Sequence, residues 1–334
     1  MRIGLVGVGR IGAFHAETLA SLDAVDELVV TDANLPAARA LAAALGVAVA
    51  DDTTALLAAG VDGLVIAAAT PAHAPLLTAA VTAGVPTFCE KPVAATLTET
   101  LAMTALVEGS GVPVQIGFQR RFDAGYRRAR EAVEAGSLGF VHTIRANTHD
   151  QAPPPAAYIA TSGGIFRDCS VHDFDILRFV TGREVATVYA TGANKGEPFF
   201  TAAGDVDTGA ALLTLDDGTL ALVSATRYNG GGHDVRFEVL GSAGALGVGL
   251  DNSLALTSAE AGVSFPTGPR HWSFMDRFRP AYQAELTAFV DVVRGFQPPP
   301  CTVRDALSAF RVAEACELSR AERRPVALAE IKGA

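Results

Sequence analysis

The first 118 residues alternate short apolar runs with longer Ala-rich stretches. The apolar runs lie at 3–8, 28–31, 48–50, 64–68, 87–89 and 114–118. The stretches between them, at 11–22, 36–45, 71–83 and 97–108, have the length and apolar spacing of helices. Strands that alternate with helices of this length predict right-handed βαβ crossovers. We therefore expect a doubly wound α/β domain with a parallel sheet over residues 1–118.

Beyond residue 118 the chain changes to shorter β-rich runs bounded by turn residues. A helix is predicted at 123–135, a strand at 141–149, a helix at 164–180, and β-rich runs at 186–191, 209–215, 220–228, 235–240 and 244–250. Turn signals such as Asp216-Asp217-Gly218 between the runs are typical of consecutive antiparallel strands. Two helices, 281–294 and 302–322, follow. We expect residues 119–334 to form an α+β domain with a mostly antiparallel open sheet, whose last helix can pack back on the first domain.

Composition supports two folded domains and argues against several kinds of partner. The 334 residues are 49% hydrophobic and 19% charged, and 26 basic against 36 acidic side chains give a net charge of -10. An acidic chain without a dense Lys/Arg tract is a poor ligand for nucleic acid or anionic lipid. Its basic patch, residues 119–121 with Arg127, Arg128 and Arg130, is short and typical of a solvated helix face.

Cysteine spacing and the length of the apolar runs bear on the cellular compartment. Cys89, Cys169, Cys301 and Cys316 are far apart and form no C-x-x-C pair, so neither a zinc site nor a disulfide framework is expected. The amino terminus lacks the apolar stretch of a secretory signal, and no apolar run reaches the length of about 18 residues typical of a membrane span. We expect a cytoplasmic protein with no membrane partner.

A glycine pattern follows the first apolar run directly. Gly7-x-Gly9-x-x-Gly12, with Arg10 and Ile11 inside it, closes a strand and opens a helix. The first glycine permits a tight turn, the second lets the backbone approach a pyrophosphate, and the third allows close helix–strand packing. Asp32 ends the second apolar run, where an acid accepts hydrogen bonds from an adenosine ribose. Because a carboxylate there repels the 2′-phosphate of NADP and no Arg follows it, the expected cofactor is NAD, with FAD less favoured.

Further motifs are similar to those of a known family. They are Thr70-Pro71-x-His73, Glu90-Lys91-Pro92, Gly117-Phe118-Gln119-Arg120-Arg121-Phe122-Asp123 and Gly163-Gly164-Ile165-Phe166-Arg167-Asp168-Cys169-Ser170-Val171-His172-Asp173. With the glycine pattern they resemble the glucose-fructose oxidoreductase, inositol dehydrogenase and MocA family over essentially the whole chain. The segment that contains Asp168 and His172 resembles the inositol 2-dehydrogenase branch most.

The resemblance implies an NAD-dependent dehydrogenase that oxidises a secondary alcohol of a cyclitol such as myo-inositol to a keto-inositol. In that branch the residues matching Lys91, Asp168 and His172 form the catalytic group. The positions that match its cofactor site beyond the glycine turn and Asp32 are Thr70, His73, Glu90 and Lys91. Those that match its substrate site are Lys91, Gln119, Asp168, His172 and His233.

The chemistry of alcohol oxidation calls for the same residue types. Hydride departure must be accompanied by loss of the hydroxyl proton, so the site needs a base and a cation. His172 is the natural base, and Lys91 lies at the carboxyl end of a predicted parallel strand, where such sheets bind ligands. Asp168 precedes His172 by four residues, which places both on one face of a helix.

Each of these residues also has a simpler interpretation. Lys91 could be a surface lysine, and Asp168 and His172 could be an ordinary ion pair or, with Asp173 and Asp175, a metal cluster. No metal is expected, because a lysine can polarise the substrate oxygen. Glu90 can simply hold the turn at Lys91. His73 can lie over the nicotinamide half of the cofactor or have a structural role under the fourth strand.

The substrate side departs from the branch at two positions. Gln119 lies where inositol dehydrogenases often carry Met, and His233 where several carry Tyr. Both side chains can hydrogen-bond a hydroxyl, so a small polyhydroxylated substrate stays the expectation. Asp150, Gln151 and Tyr158 are further candidates. The alternatives are a dehydrogenase or reductase of another sugar or polyol, and a non-catalytic dinucleotide-sensing regulator.

The second domain is also expected to assemble the protein into a homo-oligomer. In the run 219–226 neither alternating set of side chains is charged, and the run 209–215 has the same property. A sheet with one face in water normally shows polar residues on that face. A second subunit can cover the face that the helices leave open. Relatives are commonly dimers or tetramers built through this sheet, and Leu213 or Val223 is the expected contact residue.

Overall fold

The computed structural model describes residues 1–332, which form two compact units. Residues 1–119 and 280–307 form the first unit, and residues 120–279 and 308–332 form the second. The boundary at 119 falls where the sequence pattern changes. The chain therefore passes from the first unit to the second, returns to the first, and enters the second once more.

The first unit is built on a six-stranded parallel sheet. Its strands are β1 (Arg2–Val6), β2 (Glu27–Thr31), β3 (Ala48–Val49), β4 (Gly63–Ile66), β5 (Thr87–Glu90) and β6 (Val114–Gly117). Their order in the sheet is β3-β2-β1-β4-β5-β6. The order reverses between β1 and β4, and ligands of such sheets bind at the carboxyl ends of the strands near that point. The predicted doubly wound fold is confirmed.

Five helices connect these strands. They are α1 (Arg10–Ala20), α2 (Leu35–Leu45), α3 (Thr53–Ala58), α4 (His73–Thr82) and α5 (Leu97–Ser110). Helix α5 begins at a capping box between Thr96 and Glu99, whereas α1 begins at Gly9 with no side-chain cap. The first amide groups of α1 are thus left for another acceptor. Helix α3 was not predicted, because six residues are too short to show helical periodicity.

Both faces of the sheet in the first unit are buried. On one face Ile3, Leu5, Val30, Val65 and Phe88 pack with Leu19 of α1 and with Leu286, Phe289 and Val290 of a later helix, and on the other face Leu64 and Ile66 are fully buried. A sheet buried on both faces has strands without polar alternation. This explains why the strands read as continuous apolar runs in the sequence.

The second unit is built on a seven-stranded mixed sheet. Its elements are α6 (Ala124–Glu134), β7 (Val141–His149), α7 (Ala156–Ile159), α8 (Val171–Thr181), β8 (Val185–Ala193), α9 (Phe199–Ala202), β9 (Thr208–Leu215), β10 (Leu220–Thr226), β11 (Asp234–Gly241), β12 (Ala245–Val248) and β13 (Val326–Ala327). Helices α10 (Phe274–Val293) and α11 (Val303–Glu322) each contribute to both units.

The strand order of this sheet is β12-β11-β7-β10-β9-β8-β13. All neighbours are antiparallel except β7 and β10, which run parallel. The expectation of consecutive antiparallel strands is therefore wrong for β10 and β11, since β7 lies between them. The segment 227–233 that joins them is longer than a tight hairpin loop, so it can cross to the far side of β7.

One face of the mixed sheet is buried, and the other is partly exposed to solvent. On β10, Ala221 and Val223 are buried, whereas Leu220 and Leu222 expose 44% and 47% of their surface. On β9, Leu213 is buried and Leu212 is 46% exposed. Leu213 and Val223 thus lie in the core, so the expectation that either contacts a partner is wrong. The apolar side chains on the open face are those of the other alternating set.

Two buried ion pairs fix helix α8. Arg120 Nη1 lies 2.6 Å from Asp173 Oδ1, and Arg121 Nη2 lies 2.6 Å from Asp175 Oδ1. All four side chains are buried. The interpretation of 119–121 as part of a solvated face is therefore wrong, because Arg120 and Arg121 are buried in ion pairs with the two aspartates of α8. The same pairs remove Asp173 and Asp175 from a metal cluster.

The structure between residues 1 and 332 also bears on two other expectations. It contains no group of three or more His, Cys, Asp or Glu side chains arranged to hold a metal ion. None of its helices combines the length and the apolarity that crossing a membrane would require.

Candidate active site

The glycine turn after β1 has three distinct environments. Gly7 has a φ of +97°, and a Cβ there would lie 2.5 Å from the Ala68 amide nitrogen. A Cβ on Gly12 would overlap the Gly7 carbonyl oxygen. A Cβ on Gly9 would meet nothing within 4 Å. The turn is therefore closed toward β4 and open at Gly9, where uncapped amide groups of α1 begin, and this cradle fits a dinucleotide pyrophosphate.

Asp32 follows the carboxyl end of β2 beside this turn. Its Oδ2 accepts a hydrogen bond from the Val8 amide at 2.7 Å, and its Oδ1 accepts one from the Asn34 amide at 2.7 Å. These bonds fix the carboxylate while each oxygen keeps further acceptor capacity. A fixed, half-buried carboxylate suits a ribose diol and opposes a phosphate. Arg10, exposed, and Ile11, half-buried, open α1 next to it.

Lys91 leaves β5 on a turn that Glu90 holds. The Lys91 amide donates to Glu90 Oε2 at 3.2 Å, and Glu90 Oε1 lies 2.7 Å from His15 Nε2. The structure thus supports the turn-holding interpretation of Glu90. His15, a buried residue of α1, was missed by the sequence analysis. Its signal was a lone polar side chain between the core residues Phe14 and Ala16.

His73 joins two loops of the first unit. Its Nδ1 lies 2.6 Å from the Pro92 carbonyl oxygen and its Nε2 lies 2.9 Å from the Ala68 carbonyl oxygen. Burial opposes the charged ring, but the Cys89 sulfur and the two carbonyls outweigh it and raise the pKa of His73 to about 9. With both nitrogens engaged, His73 can act on the cofactor through the backbone that it joins. Thr70 lies in the short helical turn Thr70–Ala72 just before α4.

In the second unit, Asp168 and His172 follow each other along one helical segment. Asp168 lies in a π-helical turn, Phe166–Ser170, and His172 lies in the first turn of α8. Both side chains are half-buried. Such π turns occur frequently at functional sites. The predicted helix is present, with a widened backbone at its start.

Asp168 is held by a group that we call the Arg227 cluster: Asp150, Tyr158, Asp168, Arg227 and His233. Arg227 Nη2 donates to Asp168 Oδ2 at 2.6 Å, and Arg227 Nη1 donates to Asp150 Oδ2 at 3.0 Å. The Tyr158 hydroxyl donates to Asp168 Oδ1 at 2.9 Å, and His233 Nδ1 lies 3.4 Å from Asp150 Oδ1. The predicted substrate residue His233 thus shares a connected set of charges with Asp168.

The Arg227 cluster holds one arginine between two aspartates with little contact to water. Burial opposes ionisation of Asp150, but the His233 hydrogen bond and the Arg227 charge outweigh it and lower the pKa of this carboxyl. Burial also opposes the Arg227 charge, yet neighbouring Cys169, Asp168 and Asp150 raise its pKa above the ordinary value. The Asp168 side chain is itself fixed by its hydrogen bonds from Arg227 and Tyr158. Arg227 was missed by the sequence analysis; an arginine just after an apolar strand was the available signal.

Each unit also holds a buried polar atom without a protein partner. Gln119 Oε1, in the first unit, and His233 Nε2, in the second, have no hydrogen-bond partner among residues 1–332. Both residues are almost fully buried. Buried polar atoms normally find a partner, so each is suited to a ligand hydroxyl. These are the two positions that depart from the inositol dehydrogenase pattern.

The predicted residues fall into two groups, one in each unit. The glycine turn, Asp32, Glu90 and Lys91 all lie at the carboxyl ends of the parallel strands. Asp168 and His233 belong to the Arg227 cluster, and His172 follows Asp168 by about one turn of helix. The first group has the features of a dinucleotide site. The second group offers a base, a fixed carboxylate and hydrogen-bonding groups.

Comparison with known proteins identifies relatives along the whole chain. Residues 1–118 match a family model described as oxidoreductase family, NAD-binding Rossmann fold, and residues 126–247 match the GFO/IDH/MocA C-terminal domain. The chain is 42% identical to the myo-inositol dehydrogenase Hyg17 of Streptomyces leeuwenhoekii over 96% of this chain and 97% of that protein. It is 35% identical to a myo-inositol 2-dehydrogenase of Thermotoga maritima over the full length of both.

A solved structure shares the fold. It is scyllo-inositol dehydrogenase from Lactobacillus casei with bound NAD(H) and scyllo-inositol. It superposes with a TM-score of 0.89 at 30% identity, covering 98% of this chain and 99% of that chain.

Asp32 predicts a preference for NAD over NADP. The unmodified protein should have the higher kcat/KM with NAD, because the fixed carboxylate repels a 2′-phosphate. Asp32→Ala should narrow the ratio of the two kcat/KM values by removing that repulsion. Initial rates with each cofactor measure the ratio, and Asp51→Ala, at an exposed acid, is the charge control. Equal or better use of NADP by the unmodified protein would contradict this prediction.

His73 predicts a pH-dependent contribution to stability. Its pKa of about 9 in the folded protein lies above the usual 6.5, so the folded state binds the proton more tightly. The stabilisation is full below pH 6.5 and is lost as pH rises through about 9. The free energy of unfolding lost in His73→Gln, measured by urea denaturation, should therefore shrink over this range. His142→Gln, at an exposed histidine, is the control, and a loss that grows with pH would contradict the assignment.

Proposed function

Because the chain belongs to the GFO/IDH/MocA family of oxidoreductases, we propose that it oxidises myo-inositol to 2-keto-inositol with NAD as hydride acceptor. It is an NAD-dependent oxidoreductase with a Rossmann domain. The observation that carries the choice of a polyol substrate is the second unit's group of buried donors and acceptors beside a fixed Asp168. Full-length similarity to myo- and scyllo-inositol dehydrogenases supports the choice.

The catalytic roles follow from the chemistry of a secondary alcohol. Bound NAD supplies the acceptor for the hydride that leaves carbon. Lys91, as an ammonium, donates a hydrogen bond to the substrate oxygen and stabilises its developing negative charge. The imidazole of His172 accepts the hydroxyl proton. The products of this step are the ketone, the reduced cofactor and one proton.

Asp168 serves this reaction as a fixed negative charge. Its two oxygens already accept hydrogen bonds from Arg227 and Tyr158. Because both oxygens are already engaged, Asp168 is poorly suited to take the proton itself. A carboxylate one turn from His172 favours the imidazolium that forms when the proton arrives. We therefore assign proton acceptance to His172 and electrostatic support to Asp168.

Substrate recognition would use the buried atoms that lack protein partners. His233 Nε2 and Gln119 Oε1 can each bond a hydroxyl, and a cyclitol offers one on every ring carbon. Because both residues depart from the branch pattern, a dehydrogenase of another sugar or polyol is the second candidate. A non-catalytic sensor is disfavoured, because it would have no use for a base and a cation held at fixed positions.

The protein is also proposed to act in the cytoplasm. Its four cysteines are buried thiols with no disulfide among residues 1–332. Buried thiols suit a reducing compartment.

Substitution of the catalytic pair tests the function. Lys91→Ala and His172→Ala should each lower kcat by roughly a hundredfold or more, the size of lost acid/base and electrostatic contributions. NADH affinity, measured by fluorescence, should change little. Lys195→Ala, at an exposed lysine, is the control. The assay follows NADH formation over a panel of cyclitols and aldoses, and absence of turnover with every member would refute the proposed function.

We further propose a homo-oligomer, a dimer or a homotetramer, joined through the open face of the mixed sheet. Tyr189, Leu212 and Leu222 are neighbours across β8, β9 and β10 and are each nearly half exposed. Arg145 and Glu238 continue the same row and pair with each other at 3.2 Å. An apolar stripe bordered by opposite charges suits a two-fold contact with a second copy.

The assembly should depend on the exposed leucines. Leu222→Lys or Leu212→Lys places a charge within the stripe and should convert the protein to a monomer, as light scattering at micromolar concentration would show. Phe140→Lys, at an equally apolar side chain that is 73% exposed outside the stripe, should leave the assembly intact. A monomeric unmodified protein, or an assembly that both leucine variants retain, would exclude this face as the interface.

A further inference from the structure

A buried histidine links the glycine-turn helix to the strand that carries Lys91. His15 lies on α1, which starts at the glycine turn, and its side chain is completely buried. Its Nε2 is 2.7 Å from Glu90 Oε1 at the end of β5. The ring packs edge-on against Phe88 at 5.6 Å and lies 5.9 Å from the Tyr282 ring. An aromatic cage thus fixes where this imidazole can point.

His15 is the donor in its hydrogen bond with Glu90. A carboxylate can only accept, so His15 donates its Nε2–H. His15 Nδ1 is buried and has no hydrogen-bond partner among residues 1–332. A proton on that nitrogen would be an unsatisfied buried donor, which is costly. The hydrogen bond therefore directs the Nε2–H of His15 at Glu90 and fixes the orientation of the ring.

Glu90 transmits this contact to Lys91. Its second oxygen, Oε2, accepts the Lys91 amide at 3.2 Å. Gly117 on the neighbouring strand leaves room for the carboxylate, since a Cβ there would lie 2.9 Å from Oε2. The Glu90 side chain is thus confined between His15, the Lys91 amide and the bare face of Gly117. Its hydrogen bond from the Lys91 amide ties it to the backbone from which the Lys91 side chain extends.

We propose that His15 is a positioning residue for Lys91. It acts through Glu90 and fixes the turn at Lys91 relative to the helix whose amino terminus forms the cofactor cradle. This assignment rests on the proposed function, because it needs Lys91 to serve as the catalytic cation. The assignment does not depend on which polyol is oxidised.

Three variants separate positioning from packing. His15→Leu removes the donor but fills the apolar cage, and it should lower kcat by roughly tenfold to a hundredfold, the cost of a displaced catalytic group. The KM for the polyol and the Kd for NADH should stay within about threefold, because the glycine turn and Asp32 keep their contacts and the Lys91 charge is needed mainly in the transition state. His15→Gln keeps an N–H donor of similar reach and should restore most of kcat.

Phe14→Leu is the matched control. Phe14 is the neighbouring buried aromatic of α1; its ring packs against Tyr282 at 5.7 Å and lies 6.2 Å from the His15 ring, so its replacement alters the packing around His15 while keeping the donor to Glu90. It should lower the melting temperature while kcat stays near that of the unmodified protein. If His15→Leu reduces kcat no more than Phe14→Leu does, or if its main effect is on NADH affinity, His15 is a packing residue and the proposal fails.

A double-mutant cycle tests the route through Glu90. Glu90→Gln should lower kcat, and adding His15→Leu to it should cause little further loss, because the two residues act as one unit. Fully additive losses in kcat would overturn the inference.

A measurement without substrate distinguishes failure of this proposal from failure of the proposed function. The chain has three lysines, Lys91, Lys195 and Lys332, so ¹³C-dimethylated protein gives a lysine spectrum simple enough to assign with Lys91→Arg. The Lys91 signal should move in His15→Leu and stay in place in Phe14→Leu. Inactivity of the unmodified protein would refute the function alone, whereas an unmoved Lys91 signal would refute the positioning role.

Discussion

A carboxylate that leaves water must find cations or N–H donors inside the protein, and much of this molecule is arranged to satisfy that requirement. Glu90 accepts hydrogen bonds from His15 and from the Lys91 amide. Asp173 and Asp175 each form an ion pair with an arginine, and Asp168 and Asp150 both pair with Arg227. In each case the donor fixes an element that carries a side chain of the proposed catalytic group. The buried acids thus set positions of Lys91 and of the segment that carries His172.

The two units apply this constraint to different tasks. The first unit leaves its glycine turn open and holds one carboxylate, Asp32, at the edge of that opening. The second unit concentrates charge of both signs in a buried cluster around Arg227. A dinucleotide site needs backbone amides and one acceptor, whereas a polyol needs many donors and acceptors held at defined positions.

The sequence predicted what depends on local patterns. The parallel strands and most helices follow from apolar periodicity, and the glycine spacing indicated a turn whose three environments the structure bears out. Contacts between distant segments were beyond such reasoning. The burial of Arg120 depends on Asp173, and the position of β7 between β10 and β11 depends on strand pairing over long separations. Only coordinates supply these pairings.

The same limit applies to the candidate site. Motif matches named Lys91, Asp168 and His172, because each lies in a recognisable stretch. Arg227 and His15 lie in no such stretch, and each acquires its significance from a carboxylate more than fifty residues away in the chain. Isolated polar residues at otherwise apolar positions were the available hint.

The Asp32 carboxylate has two roles, and this restricts how the preference for one cofactor can change in evolution. The carboxylate that we propose as the group that opposes a 2′-phosphate also accepts hydrogen bonds from the Val8 amide inside the glycine turn and from the Asn34 amide at the start of α2. A side chain that accommodates the 2′-phosphate of NADP would leave one or both of these backbone amides without its hydrogen-bond acceptor. A change of cofactor in evolution would therefore need substitutions in the loop after β2 as well as removal of the Asp32 charge. A single substitution of Asp32 would weaken the preference for NAD and also disorder the turn that binds the pyrophosphate.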